Sequence, residues 1–417
     1  MSASRVMFVA RHFWPHCSGR HESAAATFEL TQRLANWGMR VEVVTPRHGN
    51  TWPTEIMLGD VKVHRVASAP RGDWSTQRYV RHLSHWLVER MPTLDAIVCD
   101  QLREESRAVS MAIESGAADT HGDHQTVGVA MCGGWGDDSD QTWCQNTRSG
   151  KRILQSCGGL DSVITENAKT DRYLVSHGVL AEKLRRRPIG FPRPAVVTEQ
   201  QRNDARLSLR GINLDLTTDL ESRVLLWCGP MSGPASSESG VGALVQSARF
   251  LAARDQDLRI WILGDGKIRD WVHTELKAEG VRGVVAIPGS FSDMTEVWHS
   301  VDAVVQNEDS QLRSTFPSAL AAGIPIIIAD RPAARDYLQT HFDPSILDSL
   351  AWYDPAKPST LRKAFRSVWG DLEMAKQHAF ELARDLSRRH PLEQELAFWQ
   401  SILRPSPNQN LPSPKAS

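Results

Sequence analysis

The stretch VDAVVQNEDSQLRSTFPSALAAGIPIIIAD, from Val301 to Asp330, decides the fold class of this chain. Its apolar runs Ala303–Val305 and Ile324–Ala329 are short and rich in β-branched residues, as buried parallel strands are. Between them lie a polar loop and a helical segment that begins near Ser314 or Thr315. The order strand, loop, helix, strand predicts one unit of an α/β protein with parallel strands.

The same alternation extends through the rest of the second half of the sequence. Further strands are predicted at Val224–Trp227, Leu258–Leu263, Val284–Ile287 and Leu350–Tyr353, and helices at Val241–Ala253, Arg269–Glu279 and most of 358–403. A parallel sheet with helices on both faces follows from this order.

The first half repeats the pattern and predicts a second sheet. The run Val6–Ala10, a helix from Ser23 to Asn36 and the run Val41–Thr45 form one βαβ unit. Later elements are strands at Val61–Val66, Ala96–Cys99, Val127–Cys132 and Asp161–Thr165, and a helix at Gln77–Met91. We therefore predict an N-terminal domain at 1–195, a C-terminal domain at 196–390 and a disordered tail at 405–417, with the boundary in the proline-rich stretch Pro192–Asp219.

Composition favours an ordinary globular protein over several other classes. Of 417 residues, 41% are hydrophobic and 23% charged, and the formal net charge of -1 gives no reason to expect a nucleic-acid partner. The six cysteines form no CxxC pair and no zinc-ligand spacing with histidine, so we expect buried, reduced thiols and a cytoplasmic location. No apolar run approaches the ~20 residues of a membrane span.

The order of motifs resembles that of the family-4 (group 1) glycosyltransferases of GT-B fold. The motifs that carry it are Gly38–Thr45 (GMRVEVVT), Arg223–Gly229 (RVLLWCG), Leu258–Arg269 (LRIWILGDGKIR) and Val301–Asp330. The resemblance implies two facing Rossmann-like domains with parallel sheets. It also implies a C-terminal helix, near Leu392–Leu403 (about 391–404), that crosses back to the N-terminal domain with Phe398 and Trp399 as its anchors.

The activity implied by the resemblance is sugar transfer from a nucleotide-sugar donor to a glycan or lipid-linked acceptor. It would proceed with retention, as in a hexosyltransferase of cell-envelope polysaccharide biosynthesis, without a metal or other cofactor. The leaving nucleoside diphosphate needs cations, backbone amides or a helix N-terminus to stabilise its charge. The positions expected to bind the donor are Gly264, Gly266, Lys267, Arg269, Asn307, Glu308, Ser310, Arg313, Thr315 and Ser318. No catalytic residue is predicted.

Four positions depart from the family pattern. Ser310 and Ser318 stand where the family has paired glutamates, and Pro230 and Ser239 stand where it has a phosphate-binding Arg and Lys. A serine can donate a hydrogen bond to phosphate but brings no charge, and charge-assisted bonds are roughly twice as strong. A second hypothesis is therefore a catalytically weakened member that binds a glycan, nucleotide or protein partner. A nucleotide-sugar epimerase is a third, and a dehydrogenase is disfavoured because no GxGxxG follows Val6–Ala10.

Residues at the carboxyl ends of the N-terminal strands are predicted to face the acceptor, because ligands of such sheets bind there. They are Arg11, His12, Ser18, Gly19, Gly133, Gly134 and Asp137, with Asp138 and Asp140 as further acceptors for hydroxyl groups. The alternative is that these residues form tight turns or solvated clusters without a ligand.

Two basic segments allow peripheral contact with the inner face of a membrane. The helix YVRHLSHWLVERM, Tyr79–Met91, has an apolar face that fits core packing better than lipid binding. The run Arg185–Arg187 fits a solvated charge run better than an anionic lipid site. The sequence does not predict an oligomeric state.

Overall fold

The computed structural model describes residues 4–14, 22–119, 125–136, 139–219, 221–231 and 240–403. At 22, 23, 73, 117–119 and 310 only the backbone is described. Ser18, Gly19, Asp137, Asp138, Ser239 and the predicted tail 405–417 lie outside the described residues, so those predictions stand as they were made.

The first sheet has eight strands in the order β3-β4-β2-β1-β5-β6-β7-β8. Its strands are β1 (Arg5–Val9), β2 (Arg40–Arg47), β3 (Glu55–Leu58), β4 (Val61–Ser68), β5 (Ala96–Cys99), β6 (Val127–Met131), β7 (Ser162–Thr165) and β8 (Leu184–Arg186). All neighbours pair in parallel except β3, which pairs antiparallel with β4. The sequence missed β3 and β8, which lie at the two edges where burial imposes no continuous apolar run.

Six helices accompany this sheet. They are α1 (Glu22–Asn36), α2 (Asp73–Val88), α3 (Glu104–Asp119), α4 (Asp140–Asn146), α5 (Gly150–Ser156) and α6 (Ala168–Ser176). The prediction that the 77–91 helix packs in the core holds for its apolar face, since Val80, Leu83 and Leu87 are at most 1% exposed. The prediction of a solvated run at 185–187 is wrong for Arg187, whose side chain is 10% exposed and lies in ion pairs.

The second sheet has six parallel strands in the order β11-β10-β9-β12-β13-β14. They are β9 (Arg223–Cys228), β10 (Leu258–Leu263), β11 (Val285–Gly289), β12 (Ala303–Gln306), β13 (Ile326–Ala329) and β14 (Ala351–Tyr353). All six follow the predicted apolar runs, because each strand of this sheet is covered on both faces. One face packs against a cluster that includes Phe316 and the other against a cluster that includes Phe365.

The remaining helices belong to the second half of the chain. They are α7 (Glu199–Ile212), α8 (Gly242–Ala252), α9 (Arg269–Ala278), α10 (Thr295–Ser300), α11 (Thr315–Ala321), α12 (Pro332–His341), α13 (Pro358–Trp369), α14 (Leu372–Arg389) and α15 (Leu392–Ile402). Helix α7 lies in the proline-rich stretch that the sequence assigned to the boundary. Its Arg206 bonds to the carbonyl oxygens of Ser222 and Ser300, so α7 packs on the second sheet's side.

Two segments connect the halves, and they run side by side. The amide of Phe191 donates to the carbonyl oxygen of His390 at 2.8 Å, and the amide of Gly190 donates to Glu395 Oε2 at 3.0 Å. A side chain at Gly190 would collide with Glu395, which explains the glycine. The two connections thus form one paired hinge.

Helix α15 crosses back onto the first sheet, as predicted. Trp399 is fully buried, and its ring centroid lies 6.2 Å from that of Phe8 in β1. Leu396 and Leu403 are buried in the same cluster, with Phe398 packed against it. The final helix therefore completes the core of the N-terminal domain.

Candidate functional site

The carboxyl ends of the two sheets face each other across a cleft. On the N-terminal side this edge carries the loop Cys132–Gly136 after β6 and Glu166 after β7. On the C-terminal side it carries the loop 307–314 after β12. The edges touch, because Arg313 reaches both Gly133 and Glu166.

A buried carboxylate, Glu166, joins the two sides. Arg313 Nη2 lies 2.9 Å from Glu166 Oε1, and Arg187 Nη2 donates to the same oxygen at 2.5 Å. Arg187 also lies 3.6 Å from Glu395 Oε1 on the crossing helix. Burial alone would raise the pKa of Glu166, but Arg313 and Arg187 outweigh it and hold the pKa below its usual value. Two guanidinium groups and two carboxylates thus form an ion-pair chain that links both domains and α15.

Trp135 anchors the N-terminal glycine loop in the C-terminal domain. Its ring meets Tyr337 and His341 of α12 edge-on at centroid distances of 5.3 and 5.5 Å. Its Nε1 donates to Glu166 Oε2 at 3.3 Å. Burial, assisted by nearby arginines, lowers the pKa of His341 to about 4, so this imidazole is neutral at pH 7. The domain interface is therefore packed as well as charged.

Two glycines allow the close approach of the C-terminal loop. A Cβ atom at Gly133 would lie 2.6 Å from Arg313 Nη1, and one at Gly136 would lie 2.6 Å from Asp309 Oδ2. Gly136 also has φ +62, a conformation that other residues rarely adopt. These positions explain part of the unusual loop that the sequence singled out.

Arg313 was predicted to bind the donor, and the structure places it in the cleft. Its side chain is only 12% exposed and is paired with Glu166. Thr315, another predicted donor residue, is 3% exposed at the start of α11. Because α11 has seven residues, its macrodipole is small. Charge stabilisation of a donor by this loop would depend mainly on Arg313.

Asn307 and Glu308 lie together at the end of β12. Tyr353 donates to Asn307 Oδ1 at 2.7 Å, and Asn307 Nδ2 donates to Glu308 Oε1 at 3.0 Å. The same Glu308 oxygen would lie 2.0 Å from a Cβ atom at Gly240, just before α8. The carboxylate therefore lies at the entrance to α8, beside the place where the resemblance puts a phosphate.

Ser318 bonds to the opposite domain. Its hydroxyl donates to Glu29 Oε1 of α1 at 3.2 Å. Burial raises the pKa of Glu29 above its usual value, although Arg33 and the Ser318 hydroxyl favour the charged form. A carboxylate thus does lie beside position 318, but α1 supplies it. Of Ser310 the structure describes only the backbone.

The turn after β10 has a structural explanation. A Cβ atom at Gly266, where φ is +154, would lie 2.2 Å from the carbonyl oxygen of Met231. The amide of Gly264 donates to Gly289 and that of Met231 to Asp265. These bonds fix the turn against its neighbouring strands without a ligand.

The two cations that follow this turn behave differently. Arg269 donates to the carbonyl oxygen of Ile287 at 3.1 Å, and its Nη1 lies 3.9 Å from Asp265 Oδ1. Arg269 is therefore bonded to β11, and its role at the donor stays a prediction. Lys267 is exposed, and its ammonium forms no ion pair with a described residue.

Arg11 and His12 are engaged within the N-terminal domain. Arg11 is paired with Glu105 and lies 3.3 Å from Glu104 Oε2, and its guanidinium lies 5.5 Å from the Tyr79 ring. The ring of His12 stacks on that of His48 at 4.6 Å. Arg11 therefore binds α3 rather than presenting its charge to an acceptor.

Asp140 is corrected from a hydroxyl acceptor to a structural carboxylate. Its side chain is fully buried, and its Oδ2 accepts from the amides of Leu102 and Gly133 at 3.0 Å. Arg103 Nε lies 3.0 Å from Oδ1. This carboxylate fixes the start of the glycine loop.

Among the described residues, two cavities of different size adjoin the cleft. The one beside Glu29, Arg187 and Arg313 has a volume of about 40 Å³, which suffices for water molecules only. The other has a volume of about 490 Å³, within the range typical of ligand pockets. Gly133 and Gly134 line this larger cavity together with residues of α6 and α12. The predicted glycines therefore lie where a ligand group fits.

Several cleft residues escaped sequence reasoning. Glu166 and Asn167 follow β7 directly, so the rule that sites lie at carboxyl ends of strands would have found them. Glu29 could not have been found, because its partner Ser318 lies 289 residues away.

The described part of the chain lacks two further features. It contains no group of three or more His, Cys, Asp or Glu side chains placed to hold a metal ion. Every helix within it is too short or too polar to cross a lipid bilayer.

Known structures with the same fold cover nearly the whole chain. WaaG, a glycosyltransferase involved in lipopolysaccharide biosynthesis, is 14% identical with TM-score 0.61, covering 96% of this chain and 100% of WaaG. Sucrose-phosphate synthase from Thermosynechococcus elongatus is 14% identical with TM-score 0.62, covering 96% of both chains. Anabaena HepE in complex with UDP and glucose is 12% identical with TM-score 0.61, covering 95% of this chain and 98% of HepE. At these identities the likeness establishes the fold.

Sequence similarity to a known family is found in the second half. No curated protein matches the chain in sequence. Residues 222–367 match the family described as glycosyl transferases group 1, and this range contains all six strands of the second sheet. The chain therefore has the GT-B fold, and its residues 222–367 are similar to the group 1 glycosyltransferases.

Proposed function

We propose that the chain transfers a sugar from a nucleotide-sugar donor to a glycan or lipid-linked acceptor, with retention and without a bound metal. The observation that carries the proposal is the group 1 match over 222–367, whose strand-end loops meet the N-terminal domain at Arg313 and Glu166. A transferase needs its donor and acceptor held on opposite sides of such a cleft. The same match favours a transferase over an epimerase.

Structural neighbours support the substrate classes. HepE is described in complexes with UDP-glucose and with UDP and glucose. A TarM variant from S. aureus, 8% identical with TM-score 0.63 over 96% of this chain and 100% of TarM, is described with UDP, α-GlcNAc-glycerol and fondaparinux. We extend to this chain only the general classes, a nucleotide sugar and a carbohydrate acceptor.

Donor binding has to release Arg313 from Glu166. A diphosphate carries more negative charge than one carboxylate, so it can compete for the guanidinium at the cleft. Lys267, exposed beside the 264–266 turn, is a second cation available to the donor. The departing nucleoside diphosphate would be stabilised by these side chains and by backbone amides.

One observation favours the alternative of a binding protein without transfer activity. Glu308 places a negative charge at the entrance to α8, and Arg313 is already neutralised by Glu166. The described donor loop therefore offers little net positive charge to a diphosphate. In this alternative the chain would hold a glycan or a protein partner and would bind nucleotides weakly.

Calorimetric titration with UDP, GDP, ADP and their sugar conjugates separates the two functions. Selective binding, weakened about tenfold in Arg313→Gln, would support a working donor site. Arg388→Gln is the matched control, because Arg388 is exposed and, among the described residues, forms an ion pair with its helical neighbour Asp385 alone. Absence of binding across the panel would reject the transferase.

Retention and metal independence need a second measurement. Proton NMR of the first-formed product should show the anomeric configuration of the donor, and an excess of EDTA should leave the rate unchanged. An inverted product, or loss of activity restored by added Mg²⁺ or Mn²⁺, would contradict these two parts of the proposal.

We further propose a cytoplasmic enzyme of envelope polysaccharide synthesis that touches anionic lipid through the outer face of α2. In α2, Trp74 is exposed, and the Arg78 guanidinium lies 4.2 Å from the centroid of its ring. Arg81, His82 and His85 are exposed farther along the same helix. Cosedimentation with vesicles containing phosphatidylglycerol, but not with pure phosphatidylcholine, is expected and should weaken in Arg78→Gln/Arg81→Gln. Equal behaviour with both vesicles would reject the contact.

A further inference from the structure

The cavity of about 490 Å³ lies between the two domains, and Trp135 is one of the residues that line it. Its N-terminal wall is formed by the glycine loop after β6 and by the start of α6. Its C-terminal wall is formed by the start of α12, including Asp336. A ligand here would touch both domains, so it would be bound best when the cleft is closed.

Hydrogen bonds fix both ends of the glycine loop Cys132–Gly136. The hydroxyls of Ser139 and Thr142 both donate to the carbonyl oxygen of Gly136, at 2.8 and 2.9 Å. The amide of Gly133 donates to Asp140 Oδ2 at 3.0 Å. A fixed wall of backbone lowers the ordering cost of binding a small polar ligand.

Hydrogen-bond donors collect on the wall formed by α6. Asn167 is 8% exposed and lines the cavity. Its Oδ1 accepts from the amide of Thr170 at 2.8 Å, while its Nδ2 has no hydrogen-bond partner among the described residues. Lys169, next along the helix, is exposed and forms no ion pair within the described part of the chain. The amide donor of Asn167, an ammonium group and the positive end of a nine-residue helix therefore lie together on one side.

The opposite wall carries an acceptor. Asp336 of α12 is exposed, lines the cavity and forms no ion pair with any described residue. A carboxylate accepts hydrogen bonds from hydroxyl groups and repels anions. The cavity is thus polarised, with donors toward α6 and an acceptor toward α12.

We propose that this cavity binds the acceptor through a hydroxyl-rich ring that carries a phosphate, with the phosphate at Lys169 and Asn167 and ring hydroxyls at Asp336. The identification of this ligand as the acceptor rests on the proposed function. The binding of a sugar phosphate here does not itself require transfer activity. Lys169, Asn167 and Asp336 are therefore specificity-determining residues.

The test is calorimetric titration of the full chain with glucose 6-phosphate, glucose and inorganic phosphate, with and without the nucleotide that binds. Glucose 6-phosphate should bind more tightly than either of the other two. Lys169→Gln and Asn167→Asp should each weaken it about tenfold, because each removes a donor to the phosphate. Asn167→Asp keeps the acceptor that caps α6, so loss of folding is not expected.

A lysine that does not line the cavity provides the control variant. Lys277→Gln, an exposed lysine on α9, should leave glucose 6-phosphate binding unchanged. No binding of glucose 6-phosphate, or equal binding by the Lys169 and Lys277 variants, overturns the proposal. If glucose binds as tightly as glucose 6-phosphate, the proposal that the ligand carries a phosphate is wrong. If inorganic phosphate binds as tightly as glucose 6-phosphate, the proposal that the ligand contains a hydroxyl-rich ring is wrong. If nucleotides bind and sugar phosphates do not, this inference fails while the transferase proposal stands, and the reverse result rejects the transferase alone.

Discussion

Arg313 of the C-terminal domain and Glu166 of the N-terminal domain form an ion pair of 2.9 Å across the cleft. The pair is buried, with side-chain exposures of 12% and 4%. Since the residues lie on opposite domains, the pair exists only when the cleft is closed. It is therefore a measure of closure and, under the proposed function, the interaction that a donor phosphate would replace.

Glu166→Gln should lower the free energy of unfolding by about 3 kcal/mol at pH 7, because two buried guanidinium groups lose their carboxylate. Urea denaturation measures this. Glu393→Gln is the control, since its exposed pair with Arg193 should contribute less than about 1 kcal/mol. Equal effects of the two substitutions would show that the buried chain of charges is not stabilising.

The same carboxylate predicts a dependence on pH. Because the folded chain holds the pKa of Glu166 below its usual value, its contribution is fully present above the unfolded pKa of about 4.3. It is lost as the pH falls through the lower, folded value. The stability difference between wild type and Glu166→Gln should therefore be constant from pH 6 to 7 and shrink below about pH 4. A difference that grows on acidification would contradict this assignment.

Gly133→Ala should open the closed cleft, because the new Cβ would lie 2.6 Å from Arg313 Nη1 and the buried pair with Glu166 holds this guanidinium in place. Small-angle scattering should show a larger radius of gyration. Gly158→Ala is the control, since a Cβ there meets nothing within 4 Å. Removing the long side chain in Gly133→Ala/Arg313→Ala should relieve the collision, so the two substitutions should be non-additive. Additive effects would place the strain elsewhere.

Trp135→Ala should lower the free energy of unfolding by about 3–5 kcal/mol, because its ring is 6% exposed and lies in the C-terminal core. Trp135→Phe keeps an aromatic ring against Tyr337 but loses the bond to Glu166, so it should cost less. Urea denaturation compares them, with Trp74→Ala as control, whose ring is 72% exposed. A phenylalanine variant as unstable as the alanine variant would assign the effect to the hydrogen bond.

The sequence predicted the fold well for a physical reason. Strands such as Ala96–Cys99 and Leu258–Leu263 are buried on both faces and so show as continuous apolar runs. The edge strand β8 carries Arg185 and Arg186 because its outer side meets solvent, and no apolar run marks it. Rules for strand ends located the cleft, whereas the pairs Ser318–Glu29 and Arg313–Glu166 depend on domain closure, which no local pattern encodes.

Glu308→Gln tests whether the negative charge of Glu308 weakens the binding of a nucleoside diphosphate at the donor loop. The Glu308 carboxylate lies beside Gly240 at the entrance to α8 and accepts from Asn307 Nδ2 at 3.0 Å. A glutamine keeps the shape and removes a charge that would repel a diphosphate a few ångströms away. We expect the favoured nucleoside diphosphate to bind about threefold to tenfold more tightly in calorimetry, with a gain that shrinks at high salt.

Glu373→Gln, on the exposed face of α14, should leave the affinity unchanged. Weaker binding in Glu308→Gln would instead mean that this carboxylate accepts hydrogen bonds from donor hydroxyls. Removing its charge would then weaken an attractive contact with the ligand.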